Sequence, residues 1–255
     1  MTLISATFFI LGAIIASFIG VLVARLHTGT SVITGRSRCD ACNADLSPSA
    51  LVPIFSYAAA RGRARCCGAR ISPIAPATEA LLGSLFLLSY LKLGFVGALP
   101  FVLLALALLL ALVLYDFAHQ ILPPAPLAAF VGAAGGAGFL AAPSLAAFVD
   151  TVSVALLIAA SLALIYFLSR GRAMGFSDAP LALGLALLAG PAALPGFVFS
   201  FWIGASIGIV ILAGRPRGSR MGVEVPFAPF LAAGFLLAYF TQWNPFALAT
   251  MLLGN

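Results

Sequence analysis

Residues 97–117, GALPFVLLALALLLALVLYDF, form a stretch that is long and apolar enough to cross a bilayer as one helix. Its only charged residue is Asp116, one position before its end. Further apolar stretches bounded by loop residues bring the number of predicted spans to eight. They cover residues 3–24, 74–91, 97–117, 124–142, 149–169, 179–193, 195–213 and 226–241. The sequence therefore predicts an all-α polytopic membrane protein with about eight transmembrane helices.

The composition supports this fold class and argues against others. Of the 255 residues, 63% are hydrophobic and only 8% are charged, whereas soluble domains average about 25% charged residues. The net charge of +6 could suggest nucleic-acid binding, but no groove pattern of basic and aromatic residues accompanies it. We expect no nucleic-acid partner and interpret the positive charge as a signal of membrane topology.

The positions of the basic residues predict that topology. All but one of the 13 Lys and Arg residues lie in loops 25–73, 170–178 and 214–225, and eight spans place these loops on the same side. Only Lys92 falls on the opposite side. Because basic loops stay in the cytoplasm, we expect an inner-membrane protein with its N-terminus outside and the loop 25–73 inside.

All four cysteines lie in the first loop, and their predicted compartment decides how they are interpreted. Because the cytoplasm is reducing, a metal site is favoured over disulfides. Cys39 and Cys42 have the spacing of half a tetrahedral zinc site. Cys66 and Cys67 are adjacent, so their side chains are expected to diverge unless the backbone bends. The alternative is a loop of free thiols that is held by its contacts with the membrane domain.

Four of the seven acidic residues lie where a predicted span meets the cytoplasmic face, and carboxylates at membrane depth are functional candidates. They are Glu79, Asp116, Asp178 and Glu224. Asp116 and Asp178 are expected at the same depth on the same side. Two neighbouring carboxylates can share a proton, so that one activates a water and the other donates to a carbonyl or leaving amine.

The positions of these aspartates also allow two other interpretations. Each could simply cap a helix at the interface. A transporter could use acidic residues as proton carriers, but that function predicts carboxylates near the middle of the membrane, whereas these lie at one face.

A glycine-rich segment at 132–138 resembles part of a dinucleotide motif, but it lies inside an apolar span. Close packing of helices explains it better.

Motifs along nearly the whole chain, in order, resemble those of the prepilin peptidases, the type IV leader peptidases of aspartic peptidase family A24. The resemblance includes YD at 115–116 with His119 and Pro123, and GFSD at 175–178. The remaining matches are ASFI at 16–19, CDAC at 39–42, CCGA at 66–69, the segment from Ile71 to Glu79, and PFAPF at 226–230.

The resemblance implies a function for each part of the chain. Such enzymes remove the leader of type IV prepilins or pseudopilins at the cytoplasmic membrane face, and many then methylate the new N-terminus with S-adenosylmethionine. It implies that Asp116 and Asp178 are catalytic, and Glu79 is a candidate for binding S-adenosylmethionine. It also implies a structural zinc on the four cysteines. The predicted parts are a first transmembrane helix (1–24), a cytoplasmic cysteine loop domain (25–73) and a membrane-embedded peptidase domain (74–255).

The chain departs from the family pattern at several positions. Ser177 stands where the family has Gly, and Pro180 stands where it usually has Lys. In the second cysteine motif Cys67 holds the second place, Ala64 holds the first, and Cys66 is displaced. The departures at Ser177 and Pro180 motivate the alternative of a catalytically silent assembly partner in a pilus or type II secretion system.

Overall fold

The computed structural model describes residues 2–25, 38–39, 41–47, 51–214 and 226–246. Within these residues the regular structure is helical, apart from two isolated β-bridges. The helices are α1 (Thr2–Arg25), α2 (Phe55–Ala59), α3 (Ile74–Leu93), α4 (Leu99–His119), α5 (Pro124–Ala141), α6 (Leu145–Ser169), α7 (Asp178–Ala189), α8 (Ala193–Ala213) and α9 (Ala228–Thr241).

Every predicted span coincides with one of these helices, which confirms the all-α polytopic fold; only the short α2 was not predicted. Among the described residues, six segments are long and apolar enough to cross a membrane, the last of them running through α7 and α8 together. α7 alone has 12 residues and α9 has 14, fewer than the roughly 20 that a crossing helix needs. A 3₁₀ turn at Gly190–Ala192 separates α7 from α8, because Gly190 has a φ of 58° and Pro191 has no N–H to donate.

The chain forms two compact units, Met1–Phe95 and Val96–Asn255. The first contains α1 to α3 and the cysteine loop, and the second contains α4 to α9. The functional division of the chain expected from the resemblance stays a prediction.

In the first unit α1 and α3 run antiparallel and cross closely at two glycines. A Cβ atom on Gly12 would lie 2.7 Å from the carbonyl oxygen of Leu82, and one on Gly83 would lie 2.8 Å from that of Phe9. The rings of Phe8 and Tyr90 stack nearby, with centroids 4.6 Å apart. No larger residue fits at this crossing without moving the helices apart.

In the second unit α7 is the central helix, and nearly all of its residues are buried. It packs against α5, α6, α8 and α9. A Cβ on Gly138 of α5 would lie 2.7 Å from the carbonyl oxygen of Leu187 in α7, and one on Gly136 would lie 2.8 Å from Phe101 in α4. These contacts confirm, at two of its glycines, that the glycine-rich segment serves close helix packing. The buried α7 thus positions its first residue, Asp178.

Candidate active site and cysteine cluster

Asp116 lies in the last turn of α4, which ends where Gln120 adopts a left-handed conformation with φ of 54°. The chain then leaves the helix and begins α5 at Pro124. Only 7% of the Asp116 surface is exposed. Among the described residues its Oδ2 atom has no hydrogen-bond partner. A buried carboxylate oxygen with no partner is costly and is typical of a group reserved for chemistry.

Asp178 is the first residue of α7 and is also 7% exposed. Its backbone N–H donates to the carbonyl oxygen of Gly175 at 3.2 Å. A Cβ atom on Gly175 would lie 3.9 Å from Oδ2 of Asp178, so this carboxyl group lies against the backbone of the turn. The turn before α7 therefore fixes the direction of this side chain.

The two aspartates line one cavity of about 620 Å³, and they are close enough for their charges to interact. Three segments far apart in sequence form its wall: the end of α4 and the residues after it, the loop between α6 and α7 together with the start of α7, and the residues before α9. The lining residues are Asp116, Gln120, Ile121, Leu122, Gly171, Arg172, Ala173, Met174, Gly175, Ser177, Asp178, Pro226 and Phe227. The structure thus brings together the two residues that the sequence singled out.

The start of α9 also belongs to this site, and sequence reasoning did not assign it a role. Pro226 and Phe227 line the cavity, and the backbone of Ala228 lies beside the Asp116 carboxyl group. The signal was present in the PFAPF segment, but the sequence does not reveal that this helix begins beside Asp116.

The other acidic and histidine residues near these motifs lie elsewhere. His119 is exposed, packs against Tyr115 with ring centroids 4.5 Å apart, and does not line the cavity. Glu79 belongs to the other compact unit, and Glu224 lies outside the described residues. Of the four interfacial acids, the cavity thus contains Asp116 and Asp178.

The four cysteines converge on one point in the first unit. The Sγ atoms of Cys39 and Cys67 are 3.8 Å apart, and those of Cys42 and Cys66 are 3.3 Å apart. All four lie within 4.8 Å of one another. A tetrahedral zinc with Zn–S bonds of about 2.3 Å requires sulfur atoms roughly 3.8 Å apart, so the cluster fits a zinc ion.

The adjacent cysteines do not diverge as the sequence suggested. The Sγ atoms of Cys66 and Cys67 are 3.9 Å apart, because the chain bends in a tight turn that continues into Gly68 with φ of 72°. The turn supplies the backbone bend that the sequence alone could not guarantee.

Backbone and thiol contacts affect the cysteines differently. The N–H groups of Ala41 and Cys42 stabilise the Cys39 thiolate and lower its pKa to about 7. Hydrogen bonding with Cys42, followed by that with Cys39, favours the protonated Cys66 thiol and raises its pKa to about 12. Neighbouring thiolates repel each other unless a cation lies between them.

Glu79 lies at a second cavity, of about 570 Å³, which is built from residues of the first unit alone. It is 7% exposed, and its Oε2 accepts a hydrogen bond of 2.7 Å from the N–H of Ile54. Ile54 has φ of 61° and ψ of −50°, and the N–H of Phe55 donates to the Pro53 carbonyl. This is a γ-turn, which is strained for a β-branched residue.

Asp116 and Asp178 are thus two buried carboxylates at one cavity of a helical membrane protein, and the comparisons with known proteins give the family. Residues 10–93 match the model of the bacterial peptidase A24 N-terminal domain. The chain is 32% identical to the prepilin leader peptidase/N-methyltransferase of Bacillus subtilis (strain 168), over 241 residues that cover 91% of this chain and 92% of the relative. The chain belongs to the prepilin leader peptidase family.

Other relatives carry the same name and match over most of their length. The Dickeya chrysanthemi protein is 30% identical over 274 aligned positions, which cover 92% of this chain and 93% of the relative. The Pseudomonas putida protein is 29% identical over 280 positions, covering 96% and 93%. No solved structure matches the chain.

Proposed function

We propose that this protein is an aspartic endopeptidase that removes the N-terminal leader of a type IV prepilin or pseudopilin. One observation carries the proposal: Asp116 and Asp178 line the same cavity, each 7% exposed. Family membership supports the substrate, because the relatives are named prepilin leader peptidases.

The chemistry follows from two carboxylates that hold one proton between them. The ionised carboxylate takes a proton from a water molecule, whose oxygen attacks the carbonyl carbon of the scissile peptide. The protonated carboxylate donates to the carbonyl oxygen, and the C–N bond breaks when the leaving amine receives a proton. The backbone of Ala228 beside Asp116 and the backbone of Gly175 beside Asp178 restrict the positions of both carboxyl groups at the cavity.

The alternative of a silent assembly partner rests on Ser177 and Pro180, and the local geometry removes much of its motivation. Ser177 has φ of −64° and ψ of −16°, a conformation that any L-residue adopts. Pro180 lies in the first turn of α7, where backbone N–H groups have no partner within the helix. Neither departure disturbs the aspartate pair.

Purified protein and a cognate prepilin test the peptidase directly. Asp116→Asn and Asp178→Asn should each lower the cleavage rate by about 100- to 10,000-fold, the usual contribution of a general acid or base. Asp150→Asn is the matched control, because Asp150 is exposed on α6 and should leave cleavage unchanged. If the folded wild-type protein cleaves nothing between mildly acidic and mildly basic pH, the silent-partner alternative is favoured.

We also propose that the protein lies in the inner membrane with its N-terminus outside and with the loop 25–73 and the active site facing the cytoplasm. The distribution of arginines supports this orientation. With metal removed by a chelator, a membrane-impermeant thiol reagent should label Cys42, Cys66 and Cys67, which are exposed, in inverted vesicles. Labelling in intact spheroplasts instead would reverse the orientation.

A second proposed activity is methylation of the new N-terminus, with S-adenosylmethionine bound in the cavity that Glu79 lines. The volume of that cavity, about 570 Å³, suits a small molecule. S-adenosylmethionine carries a positive sulfonium and a carboxylate, and it supplies the methyl group. Glu79 could face the sulfonium, and Arg63, Arg65 and Arg70, which also line the cavity, could bind the carboxylate.

The mass of the processed pilin tests this activity separately from cleavage. With S-adenosylmethionine present, the wild-type product should carry one additional methyl group, and Glu79→Gln should yield a cleaved but unmethylated product. An unmethylated wild-type product would restrict the protein to cleavage.

We propose that Cys39, Cys42, Cys66 and Cys67 hold a structural zinc ion. The sulfur separations support it, and the metal would supply a cross-link within the loop rather than catalysis. Elemental analysis should find about one zinc per chain. A metal-free preparation that is folded and unaffected by added zinc would contradict this.

A further inference from the structure

The two cysteine turns are copies of one backbone arrangement. In the first, the N–H of Cys39 donates to the carbonyl oxygen of Ala44 at 2.9 Å. In the second, the N–H of Ala64 donates to the carbonyl oxygen of Ala69 at 2.8 Å. Ala64 follows Cys39 by the same number of residues as Ala69 follows Ala44. The two turns can therefore be aligned residue by residue.

A second hydrogen bond within each turn follows the same alignment. The N–H of Asn43 donates to the carbonyl oxygen of Cys39 at 2.8 Å, and the N–H of Gly68 donates to the carbonyl oxygen of Ala64 at 2.7 Å. Asn43 and Gly68 both adopt positive φ, 56° and 72°. An antiparallel bridge closes each turn at corresponding positions, Arg38 with Asp45 and Arg63 with Arg70.

This alignment shows which sulfur the second turn lacks. Cys42 corresponds to Cys67, the last ligand position of each turn. Cys39 corresponds to Ala64, so the first ligand position of the second turn has no thiol. Ala64 is 9% exposed and Cys39 is 8% exposed, which places both at equally buried positions. Cys66 has no cysteine counterpart in the first turn.

The contacts between the turns show where the missing sulfur belongs. Cys39, at the first position of one turn, lies 3.8 Å from Cys67, at the last position of the other. The symmetric contact would join position 64 to Cys42. The sulfur next to Cys42 is instead that of Cys66, at 3.3 Å. The sulfur of Cys66 therefore lies where the alignment of the two turns expects the sulfur of a cysteine at position 64.

We propose that Cys66 is a replacement ligand, which completes a four-thiolate site for zinc in place of a cysteine at position 64. A cysteine returned to that position should take over the role of Cys66, because the backbone of the turn is unchanged. The inference rests on the proposed metal and not on the peptidase activity.

Metal binding by the full-length protein in detergent tests the inference. Chelator competition measures the zinc affinity, and the absorption spectrum of bound Co²⁺ identifies the ligands. Cys66→Ala should weaken binding by at least about 100-fold and lose the four-thiolate spectrum. The double variant Ala64→Cys with Cys66→Ala should recover both. The matched control is Ala59→Cys with Cys66→Ala, because Ala59 is exposed on α2.

Each of these measurements either supports or overturns the role of Cys66 as a replacement ligand. Wild-type affinity in Cys66→Ala would overturn the inference and restrict the proposed zinc ligands to Cys39, Cys42 and Cys67. The inference is also overturned if the folded Ala64→Cys double variant binds no better than the Ala59→Cys control. A wild-type protein that takes up neither metal would overturn both proposals. If Cys66→Ala does not fold, recovery of fold and spectrum in the double variant supports the inference, and failure to recover them overturns it.

Discussion

The carboxylate of Glu79 and the backbone N–H of Ile54 are joined by a hydrogen bond of 2.7 Å, which ties α3 to a strained turn before α2. The hydrogen bond offsets the strain energy of that turn only while Glu79 supplies the acceptor oxygen. Glu79 therefore has a structural role that is separable from any charge it presents to a ligand.

Substitution of Glu79 separates these two roles. Glu79→Ala leaves the Ile54 N–H without its partner and should destabilise the turn by about 1–3 kcal/mol, seen as faster hydrogen exchange in residues 51–59. Glu79→Gln keeps an acceptor oxygen and should preserve slow exchange while still abolishing methylation. Equal exchange in the two variants would mean that the hydrogen bond does not hold the turn.

Leader cleavage should depend on pH with a bell-shaped profile of kcat/KM. At low pH both Asp116 and Asp178 are protonated and no base remains, and at high pH both are ionised and no acid remains. Steady-state rates across a pH series test this, with helix content monitored by circular dichroism to exclude unfolding. A rate that rises to a plateau at high pH would indicate one catalytic carboxylate acting as a base.

The crossing of α1 and α3 should not tolerate side chains at its glycines. Gly12→Leu should destabilise the first unit by about 1–3 kcal/mol, the usual cost of overpacking. Gly20→Leu is the matched control on the same helix, because a Cβ there meets nothing within 4 Å. Thermal unfolding in detergent measures both, and equal midpoints would show that the close crossing does not limit stability.

The packing of α5 against α7 should control catalysis from a distance. Gly138→Ala places a Cβ 2.7 Å from the Leu187 carbonyl and should push on the helix that begins with Asp178. A displacement of about 1 Å at a catalytic group can cost 100-fold in rate. Gly132→Ala, on the same helix with nothing within 4 Å, should leave cleavage unchanged. Similar rates for the two variants would show that α7 is fixed by its other neighbours.

The sequence alone determined the helices, because hydropathy and loop residues act locally. The eight predicted spans coincide with α1 and α3 to α9, although the break at Gly190 leaves α7 shorter than its predicted span, 179–193. The aspartates could also be singled out, since a carboxylate is rare in an apolar segment and its cost marks it. The family motifs around them added the expected chemistry.

Tertiary structure decided the contacts between segments that are distant in sequence. The start of α9 lies beside Asp116, Glu79 accepts a hydrogen bond from Ile54, and the sulfur of Cys66 lies next to that of Cys42. Each depends on where a turn or helix end comes to lie, which is set by close packing over the whole unit and not by local composition. For that reason the sequence named the reactive groups, whereas only the packed chain fixed which groups surround them.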